Sequence, residues 1–422
     1  MPGSERNKPR LDLEEIIFAA ADQIADFVEK AANEQDKKVG LTSLEGYHLP
    51  SARLSGWVSK LTLLSSLTVR HGSILNSEVA EAIRKNCPYF KELVCHYCNG
   101  PDVDEDMSGF LDGLAPNSLE QFTVMSSNLI GRKTLESLRQ HASSLKVFSL
   151  YVESAAVAEL PLLSVCTNLV DLTLDVNATI SSDWAPSHKQ EIRDVASWLQ
   201  QCTTLKKLSV LNLPAAPHIL SEVLKVPDIQ LTDLEITIPA TQEDQTAFSA
   251  ALGRQTRLKT FIWRCSDGWF GGSEFVDAIC QSPKLVKLDL VTQMLKFADF
   301  LKVVSTITDV EEFGFDIDSD EPIGDECVYA LATLHRLRTL NVNATTAFTY
   351  QGLQALLKGL AAHPSDSHQG LSMHIMRQVG TQKFTAAQTK KLGGMVEKLF
   401  GGRFEITYDR DPDELSESDF SD

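Results

Sequence analysis

Residues 64–95 read LSSLTVRHGSILNSEVAEAIRKNCPYFKELVC. Leu64, Leu67 and Val69 set an apolar residue, then another three on, then another two on, and Phe90, Leu93 and Cys95 repeat that spacing. Alternation at the end of each triplet suits a short strand with one buried face, whereas Val79, Ala82 and Ile83 between the triplets follow helical spacing. One period is therefore a strand and then a helix. The triplet returns at Leu119, Phe122, Val124; at Leu145, Phe148, Leu150; at Leu169, Leu172, Leu174; at Leu205, Leu208, Val210; and at Leu231, Leu234, Ile236. Further copies are Leu258, Phe261, Trp263; Leu285, Leu288, Leu290; Val310, Phe313, Phe315; and Leu337, Leu340, Val342. Helical stripes recur between them, as in Leu135 and Leu138, in Val195, Trp198 and Leu199, and in Phe297, Phe300 and Leu301.

A unit of about 27 residues falls within the leucine-rich-repeat range and buries too little apolar surface to fold alone, so neighbours must stack. The expected fold is an α/β leucine-rich-repeat solenoid, a curved array with a parallel sheet on its concave face and helices on its convex face. About 12–13 units are expected over residues 41–408. Leu41, Leu44 and Gly46 mark a degenerate first unit; Leu371, Met373, Ile375 and Phe404, Ile406, Tyr408 mark two late strands, with a helix at about 386–400 between them. Residues 1–40 are expected to hold a polar N-terminus and an amphipathic cap helix at 11–32, with Leu13, Ile17, Ala20, Ile24 and Ala31 on one face. That helix would cover the open end of the array or dock another protein. Residues 409–422 read as an acidic disordered tail.

With 39 basic and 57 acidic residues, the formal charge of −18 disfavours phosphate backbones and anionic lipid. No apolar run approaches a membrane span, and Asp12, Glu14 and Glu15 would not suit a signal-peptide core. A cytoplasmic or nuclear protein is expected, with no nucleic acid or membrane among its partners. Cys87, Cys166 and Cys202 each stand three residues before a strand triplet, so they should stack as a buried row of reduced thiols.

The segments NCPYFKELVCHYCNGPDVDED (86–106), VCTNLVDLTLD (165–175) and LPSARLSGWVSKLTLLSSLTVRHGSIL (49–75) resemble the repeats of filamentous-fungal F-box proteins, over residues 41–345. The resemblance implies a substrate receptor of a cullin-RING ubiquitin ligase, whose F-box binds the Skp adaptor while the repeats hold substrate. No stretch before Leu41 reads as that F-box; LDLEEIIFAAADQIADFV is at best a distant fragment. The expected function is accordingly a protein-interaction scaffold, F-box-like in its repeats. A second reading is a regulator resembling the Ran GTPase-activating family, which also joins such repeats to an acidic tail. Its strands usually carry an Asn after the last Leu, and most triplets here lack one. A third is a generic binding module, such as a ribonuclease-inhibitor-like binder of a basic enzyme, which fits the charge but not the irregular repeats.

Residues between the buried strand positions should face the concave surface, and among them Arg70, His96, Tyr151, Asp175, Arg264 and Asp316 are candidate partner contacts. The long step from Leu169 to Leu205 requires a bulge at 177–191, carrying Trp184; Trp269 and Phe270 lie among glycines at 266–273. Large aromatics in such loops suit interface anchors or shields for the solenoid edge. Two acidic loops, around Asp102, Asp104, Glu105, Asp106 and around Asp316, Asp318, Asp320, Glu321, Asp325, Glu326, alternate carboxylates as calcium loops do. Both lack the required glycine, having Met107 and Glu321 there, and the closing Glu, having Gly113 and Cys327. They read as solvated or as facing a basic partner. Cys95, His96 and Cys98 hint at zinc but have no second ligand pair, and Cys95 falls on a core position. No phosphate loop, zinc-protease helix or nucleophile elbow occurs, so no catalytic residue and no cofactor is expected.

Overall fold

A computed structural model describes residues 43–46, 51–98, 100–126, 130–176, 188–213, 215–238, 245–265, 272–317, 322–364, 368–378 and 384–408. The expected cap helix at 11–32, the acidic tail at 409–422 and most of the bulge at 177–191 lie outside the described residues. The chain divides into two compact units, Met1–Ala215 and Ala216–Asp422.

The first unit holds β1 (Ser43–Gly46), β2 (Ser66–His71), β3 (Glu92–Tyr97), β4 (Gln121–Val124), β5 (Val147–Val152), β6 (Asp171–Val176) and β7 (Lys207–Leu211). Each pairs in parallel with the next. The register sets like on like: Leu67, Leu93, Phe122, Phe148, Leu172 and Leu208 lie side by side across the sheet. All are at most 1 % exposed, which is why a slip of one residue, turning every leucine to the other face, is forbidden. The second unit repeats the scheme with β8 (Asp233–Ile238), β9 (Thr260–Cys265), β10 (Lys287–Leu295), β11 (Glu312–Ile317), β12 (Thr339–Val342), β13 (Ser372–Gln378) and β14 (Arg403–Tyr408). Between strands run helices such as Ser77–Asn86, Val103–Gly113, Lys189–Gln201, Phe297–Thr306 and Tyr350–Ala361, and successive helices pack on one another. Both units are therefore α/β leucine-rich-repeat arrays, with a parallel sheet on one side and helices on the other.

Packing rotates some helices slightly from the expected stripe. In Phe297–Thr306 the buried residues are Phe300, Val303 and Val304, and Leu301 is 39 % exposed. Ring stacking explains it: Phe300 must meet Phe315 at 4.8 Å and Phe313 at 6.3 Å, which turns Leu301 outward.

In several repeats the position three residues before the strand triplet has one job filled by several chemistries. Cys87 Sγ donates to the Leu61 carbonyl (3.3 Å), Cys202 Sγ to that of Cys166 (3.7 Å) and Ser282 Oγ to that of Gln255 (3.0 Å). Leu61, Cys166 and Gln255 hold the same position one repeat earlier. Gln255 itself donates to the carbonyls of Leu224 and Ile229 while its Oε1 accepts from the Leu231 amide, and His368 Nδ1 meets the Leu337 carbonyl at 2.7 Å. Buried turn carbonyls are thus met by the next repeat, where water does not reach. The three cysteines are buried as expected, but only Cys166 and Cys202 stand in successive repeats, Pro116 and Ala142 separating them from Cys87; burial pushes the thiols up, Cys87 to about 11 and both Cys166 and Cys202 to about 12.

Two acids from the calcium-like loops cap the following helix. Asp104 accepts from the amides of Gly131 (2.9 Å), Lys133 (3.1 Å) and Thr134 (2.9 Å), at the start of helix Arg132–Leu138, whose own cap residue is Gly131. Asp325 accepts from the Thr349 amide at 2.8 Å, and Thr349 Oγ1 in turn caps helix Tyr350–Ala361 through Gly352 N. A Cβ at Gly352 would lie 2.1 Å from Asp325 Oδ1, so only glycine admits that carboxylate. The expectation that both loops face solvent or a partner fails for these residues, because helix amides outcompete water for a nearby carboxylate.

Replacing Gln255 with Leu strands three backbone groups and should lower unfolding free energy by about 3 kcal/mol, against about 1 kcal/mol for Cys202→Ala, as read from urea unfolding. Asp104→Ala should cost about 1–2 kcal/mol. Burial raises the Asp104 pKa, but the bonds from Thr134, Gly131 and Lys133 outweigh it and hold it low. Its contribution is therefore present above the ordinary carboxyl range and lost as pH falls through the folded value, so in acid the variant and the parent should converge. His141 and His368 are held below the ordinary imidazole range, chiefly by burial. The unfolded chain then binds the proton more readily, so stability is full above about pH 6.5 and is lost as pH falls through the folded values. Thermal melts from about pH 7 to 5 should show this fall, flattened in His368→Gln.

Candidate protein-binding surface

Strand alternation leaves one side of each sheet facing away from the helices, and side chains there are spare as far as the fold is concerned. In the first unit, register places His96 on β3, Met125 after β4 and Tyr151 on β5 side by side, with Asp175 next to Tyr151 on β6. Met125 is 53 % exposed, His96 and Tyr151 are half-buried, and Tyr97, whose ring lies 6.1 Å from that of His71, is 40 % exposed. Below this row the surface is flat, since Thr123 is only 7 % exposed between its neighbours. Met and Tyr together make a patch that is apolar in body and polar at the tip.

Asp175 accepts a bond from Asn212 Nδ2 at 3.1 Å, with Asn212 in the left-handed region at φ 60°. Burial pushes the Asp175 carboxyl up and that bond only partly offsets it. It sits at the polar end of the Met–Tyr patch.

In the second unit, Arg264 on β9 is forked between Glu235 on β8 (3.1 Å) and Asp289 on β10 (2.8 Å). Both acids stand in register with Ile262, two residues before Arg264 on the same face, so the guanidinium folds back along its own strand to reach them. Asp289 Oδ1 also accepts from the Val291 amide at 3.2 Å, and a Cβ on Gly314 would come within 2.8 Å of it. Glycine at 314 therefore lets Asp289 lean over β11. This fork is half-exposed and pre-oriented, a fixed charge pattern rather than a mobile one.

Of the candidate residues, His96, Tyr151 and Asp175 share one face of the first unit, and Arg264 takes its place on the second. Asp316 does not belong to an open surface: it is 5 % exposed and accepts from Asn343 Nδ2 at 3.5 Å across the β11–β12 pair. Its side chain is spent inside the sheet edge, a correction to the expected role. For Arg70 the backbone lies in β2; Trp184, Trp269 and Phe270 lie outside the described residues. Cys95 and Cys98 are fully buried core thiols, and Cys95 is pushed up first by the hydrogen bond with Cys98 and then by burial. A Cβ on Gly72 would sit 2.4 Å from Cys98 Sγ, so that glycine makes room for the thiol. Met125 falls on the outward row that strand alternation gives, although it is not among the candidate contacts; Tyr97 ends its strand on the inward parity of Leu93 and Cys95, so alternation did not single out its exposure. The acids beside Arg264 were legible as a charge pattern, opposite charges two positions apart in adjacent repeats.

No protein-family model matches the chain, and no curated protein matches it. Solved structures do match: that of the Rad7 and Elc1 complex in yeast aligns with a TM-score of 0.48 at 15% identity, over 92% of this chain and 90% of that chain. The fold assignment rests on the register and burial described above.

Proposed function

We propose that this chain is a protein-recognition scaffold that acts by binding rather than by catalysis, with the exposed sheet faces as its contact surfaces. The observation that carries the reading is the row His96, Met125 and Tyr151, where a methionine 53 % exposed stands between a half-buried histidine and a half-buried tyrosine on one sheet face. Aromatic and methionine side chains are enriched where partners bury surface, and a few such anchors carry most of the binding energy. The Arg264 fork adds a fixed charge pattern suited to selecting a partner by orientation.

Within this proposal the finer role is substrate recognition in a ubiquitin ligase pathway, supported by the resemblance of residues 41–345 to F-box repeats. Work in a reducing compartment, cytoplasm or nucleus, is part of the same proposal and is supported by the free thiols of Cys87, Cys95, Cys98, Cys166, Cys202, Cys280 and Cys327.

Crosslinking and mass spectrometry with the full chain as bait tests both levels. A partner held through the Met125 row should be captured by the parent and by Leu301→Glu, which changes an exposed apolar residue on the helical side, yet fall about tenfold or more with Met125→Glu. Equal loss in both variants, or in neither, removes the sheet face from the proposal. Skp adaptor and cullin components among the captured proteins support the ligase role; their absence from the parent capture removes that role and leaves the scaffold.

A further inference from the structure

We infer that the Met125 row takes an arginine-bearing peptide segment of a protein partner, whose apolar side chain lies over Met125 while its guanidinium lies beside Tyr151 against Asp175. The inference rests on the sheet-face reading above and names the chemistry of what that face receives.

Tyr151 and Asp175 are direct neighbours in the β5–β6 register, and Leu211 on β7 stands on the other side of Asp175. All three are half-buried. The carboxylate is thus set between two apolar bodies, where a long basic side chain covers apolar surface with its stem and brings its charge to the acid with its tip. Two residues back on the same face stand Ser149, Thr173 and Ser209, in register with one another. Their small side chains leave the row standing clear of its neighbours.

The carboxylate itself calls for a cation. Asn212 Nδ2 donates to its Oδ1 at 3.1 Å, and among the described residues Oδ2 has no partner. An ionised carboxylate has about four acceptor sites, so most of its capacity is open. No basic side chain of the described residues pairs with it; Lys207 on the adjacent strand is engaged with Asp171, at the opposite end of β6, at 4.0 Å. Burial already disfavours the charge of Asp175, so a cation that arrives with its own hydrogen bonds gains more there than at a solvated acid. Arginine fits better than lysine, because its planar fork bonds both carboxylate oxygens and its face packs on a tyrosine ring. The net charge of −18 favours the approach of a basic segment over an acidic one. Met125 and Asp175 are two strands apart, about 9–10 Å at about 4.8 Å per strand, which an extended segment spans in about three residues.

The test uses the full chain and a random peptide library displayed on phage. Selection should enrich peptides that carry an arginine near an apolar residue, and one of these, synthesised with a fluorescent label, reports affinity by polarisation. Met125→Glu should weaken binding about tenfold or more. Asp175→Asn, and replacement of the peptide's arginine by neutral citrulline, should each weaken it about tenfold. The two together should cost no more than either alone, since both break one contact. The citrulline measurement needs no variant of the chain, so it stands even where Asp175→Asn fails to fold. No enrichment, enriched peptides without arginine, unchanged affinity with citrulline, or losses that simply add overturn the arginine assignment and leave the scaffold reading in place. Affinity that survives Met125→Glu shows that the peptide sits elsewhere, and overturns the use of this face along with the assignment.

Discussion

In a parallel repeat array each turn carbonyl that points towards the next repeat is sealed from water once that repeat docks, and leaving it unbonded would cost more than a typical hydrogen bond returns. The chain meets this constraint at one recurring position, where Cys87, Cys202, Gln255, Ser282 and His368 each reach back to the preceding repeat. Thiol, amide, hydroxyl and imidazole each serve there, while Leu61, Pro116, Ala142 and Leu334 hold the same position in other repeats without a side-chain donor. The helices of the two units follow the same logic through Asp104 and Asp325, which cap a neighbour's helix instead of their own. Docking of each repeat is thereby tied to polar groups as well as to leucines, and a repeat that undocks exposes both.

That arrangement settles which polar residues remain for binding. Carboxylates that cap helices, histidines that close turns and thiols that meet carbonyls are consumed by the fold. Among the groups left on the described sheet faces are a short apolar and aromatic row in the first unit and a forked guanidinium in the second, beside ion pairs such as Lys207–Asp171 and Lys287–Glu312. A few of the 57 acids are engaged inside the array, Asp316 among them at 5 % exposure.

Much of the architecture was legible in advance. The triplet spacing located the strands from β2 to β12, the two late strands fell where Leu371 and Phe404 predicted them, and the expected helix at about 386–400 is Ala386–Phe400. The candidate surface was legible only in part. His96, Tyr151, Asp175 and Arg264 followed from strand alternation, since period two decides which face a residue takes. Asp316 obeyed the same alternation and is nevertheless buried, because its exposure depends on how closely Asn343 of the next strand lies against it. Leu301 failed in the opposite direction, when ring packing around Phe300 turned its helix.

Residue spacing by itself determined the repeat unit, its parallel stacking and the identity of the buried leucines, because hydrophobic burial is set by period and needs no knowledge of neighbours in space. Tertiary structure alone decided which polar groups were spent. Whether Asp104 is solvated or caps a helix, whether Arg264 is mobile or clamped between two acids, and whether His335 faces His363 are questions about atoms one repeat apart, about 27 residues along the chain. Those pairings come from the docking geometry of adjacent repeats, and a hydrogen bond depends on tenths of an ångström that no spacing rule supplies.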